Sequence, residues 1–249
     1  MKLQILSDTH NSEYTISSEA DVIIHAGDFS NQLSGMLKFA ETCKKLNKRF
    51  IFVLGNHDYY NSNYNSVIEF LKKNYPENAL LADNHIQIQD KIFVGGTLFS
   101  NFRSNSPLIS PHELQKFKDD AEQAIYDFEK ITIGDDNRTI SANDYITLFQ
   151  QYRENIMQFK GRDNVIVITH FPPHLACLDP YWGNHPVASA LNPYFINNLE
   201  IKGFRLWISG HTHTSIDTVE DGCRLLINPL GYPAEHGANG YRENLIITV

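Results

Sequence analysis

Short runs of β-branched and aliphatic residues alternate with stretches whose apolar positions recur at helical spacing, which predicts an α/β fold. Residues 3–6, 22–24 and 50–54 read as strands. Met36, Phe39, Ala40, Cys43 and Leu46 share one face of a helix over 36–46, and a second helix over 66–74 stops before Pro76. Strands over 86–88 and 92–94 turn at Asp90-Lys91. From about residue 100 to 160 the chain becomes polar and helical, with a loop at 134–137 and Ser141 and Asp144 as a capping pair for a helix ending near 160. That stretch has too few apolar residues for a core of its own, so it is expected to be a helical cap inserted into a single domain spanning 1–249. Strand patterns resume at 165–168 and 206–208, separated by a loop over 171–193 rich in Pro, His and aromatic residues. A hairpin over 215–219 and 223–227, about Asp221-Gly222, and a strand over 244–249 complete the chain.

The polar residues fall where such strands stop. The first ends in Ser7-Asp8-Thr9-His10, the second in Gly27-Asp28 and the third in Gly55-Asn56-His57-Asp58. The strand over 165–168 ends in Thr169-His170, and that over 206–208 in Gly210-His211-Thr212-His213. Ligands of open α/β sheets gather outside the carboxyl ends of the strands, so these side chains should converge. Mixed imidazole, carboxylate and amide donors without a thiolate suit first-row divalent metals: manganese first, with iron, zinc, nickel or cobalt as alternatives. Two such ions can clamp the attacking and leaving oxygens of a phosphoryl displacement, and they need a shared anion between them. Asp28, next to a glycine that permits close backbone approach, is the expected bridge.

Composition narrows the partners. Twenty-one Lys and Arg against 29 Asp and Glu leave a net charge of −8 over 249 residues, which disfavours long nucleic acid and anionic membranes. No apolar run approaches the ~20 residues of a bilayer span. The first residues lack the apolar core of a signal peptide, and three cysteines make no disulfide framework, so a cytoplasmic protein is expected.

Taken in order, Asp8/His10, Gly27/Asp28, Gly55/Asn56/His57/Asp58, His170 and Gly210/His211/His213 resemble the calcineurin-like metallophosphoesterase superfamily. The resemblance implies a four-layer α/β/β/α sandwich of two mixed sheets flanked by helices. It implies one metal on Asp8, His10, Asp28 and His213 and another on Asp28, Asn56, His170 and His211. A metal-bridging hydroxide would then attack the phosphorus of a monoester or diester, and His57, unligated, would assist the leaving group. Gly95-Gly96-Thr97-Leu98-Phe99 and Asn228-Pro229-Leu230-Gly231-Tyr232 are similar to runs in small bacterial and phage members. The Asp and Arg by which the family's protein phosphatases extend the second motif are absent from Phe29-Ser30-Asn31, and Leu54 stands where they carry an Arg. A small or medium phosphorylated substrate is therefore expected, contacted by Phe99, Tyr181, Trp182 and His185. Arg103, Lys116, Lys118, Arg153 and Arg162 should be solvated, with one of them a candidate for the phosphate. His25, His85 and His112 are expected to be structural. The alternatives are a catalytically silent scaffold of this fold and a nuclease.

Overall fold

The computed structural model describes residues 1–104, 108–179 and 188–249. In chain order its strands are β1 (Lys2–Leu6), β2 (Val22–Ala26), β3 (Arg49–Val53), β4 (Ser62–Asn63), β5 (Ile86–Ile88), β6 (Lys91–Gly96), β7 (Ile131–Ile133), β8 (Arg138–Thr139), β9 (Val165–Thr169), β10 (Leu206–Ser209), β11 (Ile216–Glu220), β12 (Cys223–Ile227) and β13 (Ile246–Thr248). The helices are α1 (Ser34–Lys45), α2 (Tyr64–Asn74), α3 (Pro111–Ala124), α4 (Asp127–Lys130), α5 (Ala142–Met157) and α6 (Asn192–Phe195).

Two mixed sheets carry the site. In one, β2 pairs in parallel with β1 and β3, and β13 closes the β1 edge antiparallel. In the other the order is β11-β12-β10-β9-β6-β5, parallel through its four central strands and antiparallel at both edges. Period-two alternation decides how they meet. Leu3 and Ile5 of β1, Ile24 of β2 and Ile51 of β3 form one buried cluster with Phe93, Ile166, Ile168, Ile208 and Leu226 of the second sheet. The opposite faces join a larger cluster with the helices: Met36, Phe39, Ala40 and Cys43 from α1, and Tyr145, Leu148, Phe149, Tyr152 and Ile156 from α5. β1, β2, β3, β9 and β10 thus deliver their carboxyl ends to one rim.

The helical character expected of the long polar stretch is present as α3, α4 and α5, and a short hairpin is added to it. Its capping pair is present, Ser141 and Asp144 forming a reciprocal box at α5. An additional capped helix, α3, precedes it, and a hairpin of β7 and β8 flanks the loop at 134–137 and extends to β4. Among the described residues, no helix is long and apolar enough to cross a membrane.

Candidate active site

The backbone bends sharply where the strands release the motif residues. φ is 51° at Asp8, 42° at His10, 59° at Asp28, 73° at His211 and 51° at His213, the left-handed region that few residues other than glycine enter. Such strain gathers at functional sites because the surrounding structure has to impose it. The glycines are there to let side chains in. A Cβ on Gly55 would stand 1.9 Å from Asp28 Oδ1, and one on Gly27 would stand 2.6 Å from His170 Nδ1. Asp58 is fully buried and accepts N–H bonds from Gly55, Asp28, Phe29 and Ser30 at 2.9–3.2 Å, which clamps the second motif to the third.

Among the described residues, Asp8, His10, Asp28 and His213 each offer one ligand atom within 4.8 Å of all the others. His10 Nε2 and His213 Nε2 face each other at 3.0 Å, close to the spacing of two nitrogens on one ion with bonds of ~2.1 Å. The second expected set is partly assembled. His170 Nε2 lies 3.1 Å from Asn56 Oδ1 and 3.4 Å from Asp28 Oδ2, and the His211 ring stands 5.0 Å from that of His170. Asp8 Oδ2 and His211 Nε2 are buried without a hydrogen-bond partner, which suits groups that complete their contacts on a cation. The donor set and these orphaned atoms fit divalent metal ions.

Supporting contacts orient the rings. His213 Nδ1 bonds Glu235 at 2.7 Å, and His170 Nδ1 bonds the Ala26 carbonyl at 2.8 Å. Burial pushes His10 down to about 4, and burial with His170 nearby keeps His211 well below the usual range, so both rings are neutral. Burial also opposes charge on His170, but the Asp28 and Asp8 carboxylates outweigh it and hold this ring up at about 9. Below that pH His170 keeps a proton that a metal ion would have to displace were it to bind Nε2. Affinity for Mn2+ is therefore expected to rise with pH, about tenfold per unit for each proton released. Calorimetry in buffers of different ionisation enthalpy measures that proton count; affinity flat between about pH 6 and 8 would contradict it.

His57 stands beside the cluster, its ring centre 5.0 Å from that of His10. Its Nδ1 is 2.8 Å from Asn31 Oδ1, and its other face stacks on Tyr60 at 4.5 Å. The orienting role that a carboxylate would fill is thus taken by an amide one motif away. His57, Asp28, Asn56, His211 and His213 open onto a cavity of about 720 Å³ whose walls include Ile125, Tyr126, Leu178 and Phe195. Tyr232 also lines it and stacks on His10 at 4.2 Å.

Phe99 does not reach this cavity. Its backbone φ of 58° turns the ring inward, where it is fully buried and packs 4.5 Å from Tyr145, so the substrate contact expected of it is corrected to a core role. Tyr181, Trp182 and His185 lie outside the described residues. Of the five Lys and Arg considered for the phosphate, none lines the cavity: Lys116 pairs with Asp120, Lys118 bonds Asn143 and Arg162 lies over Phe159. His25 is structural, stacked on Phe29 at 3.6 Å and bonded to Thr9. Asp127 and Glu235 line the site without any sequence signal, while Asn31 and Tyr232 end runs that the sequence does mark.

The profile of calcineurin-like phosphoesterases matches residues 1–215. The uncharacterized protein L509 of Acanthamoeba polyphaga mimivirus is 29% identical over 251 aligned residues, covering 90% of this chain and 82% of that one. Among solved structures, phosphopantetheinyl hydrolase from Mycobacterium tuberculosis superposes with a TM-score of 0.67 at 15% identity, covering 100% of this chain and 95% of that one; this shows a shared fold.

Proposed function

Because the chain belongs to the calcineurin-like phosphoesterase family, we propose that it hydrolyses a small phosphodiester with two divalent transition-metal ions. Asp8, His10, Asp28 and His213 would hold one ion, and Asp28, Asn56, His170 and His211 the other. The observation that carries this reading is the group Asp8, His10, Asp28 and His213 at the rim of a substrate-sized cavity. Bound there, the cations supply Lewis acidity and activation of water. The protein's own groups do the rest. Asn31 fixes His57 through Nδ1, which leaves Nε2 towards the cavity to carry a proton to the leaving oxygen. Glu235 and the Ala26 carbonyl hold the His213 and His170 rings with Nε2 turned to the cluster.

Charge favours the diester. A phosphomonoester carries about −1.5 to −2 near neutral pH, and a diester carries one charge. Among the described residues no Lys or Arg lines the cavity, and residues 105–107 and 180–187 contain none. Asp179 and Glu235 add carboxylates to its wall, and Glu235, despite burial, is held below the usual range by His213. The apolar side chains of the same wall offer a surface to the second ester group. Mn-loaded protein is expected to turn over bis-p-nitrophenyl phosphate with a kcat/KM at least about tenfold above p-nitrophenyl phosphate, about 1.4 kcal/mol in the barrier. The reverse preference overturns the diester reading, and turnover of neither overturns hydrolysis.

A further inference from the structure

One buried carboxylate beside the site lies outside every motif. Asp127 opens α4, within the polar helical stretch, and is fully buried. Its Oδ1 accepts from Asn56 Nδ2 at 2.9 Å and from the Tyr60 hydroxyl at 2.7 Å. Its Oδ2 accepts from the Tyr145 hydroxyl at 2.5 Å and from the Tyr194 hydroxyl. Four donors fill the roughly four lone-pair sites of a carboxylate. Burial and the Asp127 charge keep the three phenols well above their usual range, so they stay donors.

We propose that Asp127 is a positioning residue for the metal ligand Asn56, holding the amide by its nitrogen so that Oδ1 is presented to the second cation. This rests on the two-metal reading above. With Nδ2 committed to a carboxylate, the amide cannot flip, and Oδ1 points to the side on which His170 Nε2 lies, 3.1 Å away. An anion against the N–H also draws electron density toward Oδ1 and makes a neutral amide a better ligand. The same carboxylate secures Tyr60, on which His57 stacks, and Tyr194 of α6. The polar stretch thus supplies the anchor of one ligand.

The test is calorimetric titration of the metal-free protein with Mn2+, comparing wild type, Asp127→Asn and Tyr145→Phe. Asp127→Asn is expected to weaken one of the two binding events about 10- to 100-fold and to leave the other unchanged. Tyr145→Phe, which removes a donor to the far oxygen, should lower the melting temperature without altering the ratio of the two dissociation constants. Two ions in wild type with the same ratio in Asp127→Asn overturns this inference alone. So does an equal weakening of both sites, which marks Asp127 as structural. A wild type that takes up one ion overturns the two-metal reading and this inference with it. If Asp127→Asn does not fold, Tyr60→Phe, which strips the hydroxyl donor from the oxygen that holds Asn56, must shift the same ratio in the same direction, and an unchanged ratio overturns the inference.

Discussion

Asp28→Asn should leave the protein unable to hold two metal ions and lower kcat/KM at least about 10³-fold, the several kcal/mol of charge stabilisation such ions provide. Asp28 Oδ2 stands 3.7 Å from His10 Nε2 and 3.4 Å from His170 Nε2, between the two ligand groups. Two dications ~4 Å apart repel by roughly 15 kcal/mol at an effective dielectric near 20, so the pair depends on an anion between them. Burial opposes ionisation of Asp28, but His170 and His57 keep its carboxyl well below the usual range, so it is charged at every working pH. Asparagine preserves the volume and can still accept the His57 N–H bond that Asp28 Oδ1 takes at 3.1 Å, so folding should survive. Elemental analysis after Mn2+ loading, beside a melting curve, checks this. Two equivalents retained by Asp28→Asn would mean that the shared position is filled by something else.

The strand-end motifs were legible because each follows an apolar run that ends in Gly or in a short polar residue, and five such runs point to one rim whichever sheet they join. Their supports were not. Asn56 meets Asp127 across 71 residues and His213 meets Glu235 across 22, and a single carboxylate in a polar stretch reads as solvated until the fold is known. Asn31 ends the run from which the Asp and Arg of the protein phosphatases are absent, and the structure shows that its amide reaches Nδ1 of His57. Phe99 was misplaced for a different reason: positive φ at Leu98 and Phe99 turns the chain inward, and large apolar residues carry no pattern that announces it. The bounds of α3 have no apolar stripe to mark them, because Ala121 is its one buried residue; its hydrogen-bonded cap at Ser110 and Glu113 marks its start where packing does not.

His57→Ala is expected to keep both metal equivalents while kcat falls about 10²- to 10⁴-fold on a diester with an alkoxide leaving group. The ring lies outside the group of four ligand atoms, so its loss should leave metal content alone. Its Nδ1 is engaged by Asn31 at 2.8 Å, and Nε2 stands 3.5 Å from the Tyr232 hydroxyl at the cavity mouth, so one nitrogen is fixed and the other is available to the leaving oxygen. The size of the loss should follow the leaving group. Nitrophenolate departs without a proton, so bis-p-nitrophenyl phosphate should lose little, and the deficit should grow as the leaving alcohol becomes less acidic. Asn31→Ala should reproduce a smaller part of the same trend, because the imidazole remains but is no longer held by Nδ1. An equal deficit on every ester, or the loss of a metal ion from His57→Ala, would move His57 from proton donor to ligand or scaffold. The dependence on leaving group separates these roles because only a group that hands over a proton has an effect scaled by the basicity of the oxygen receiving it.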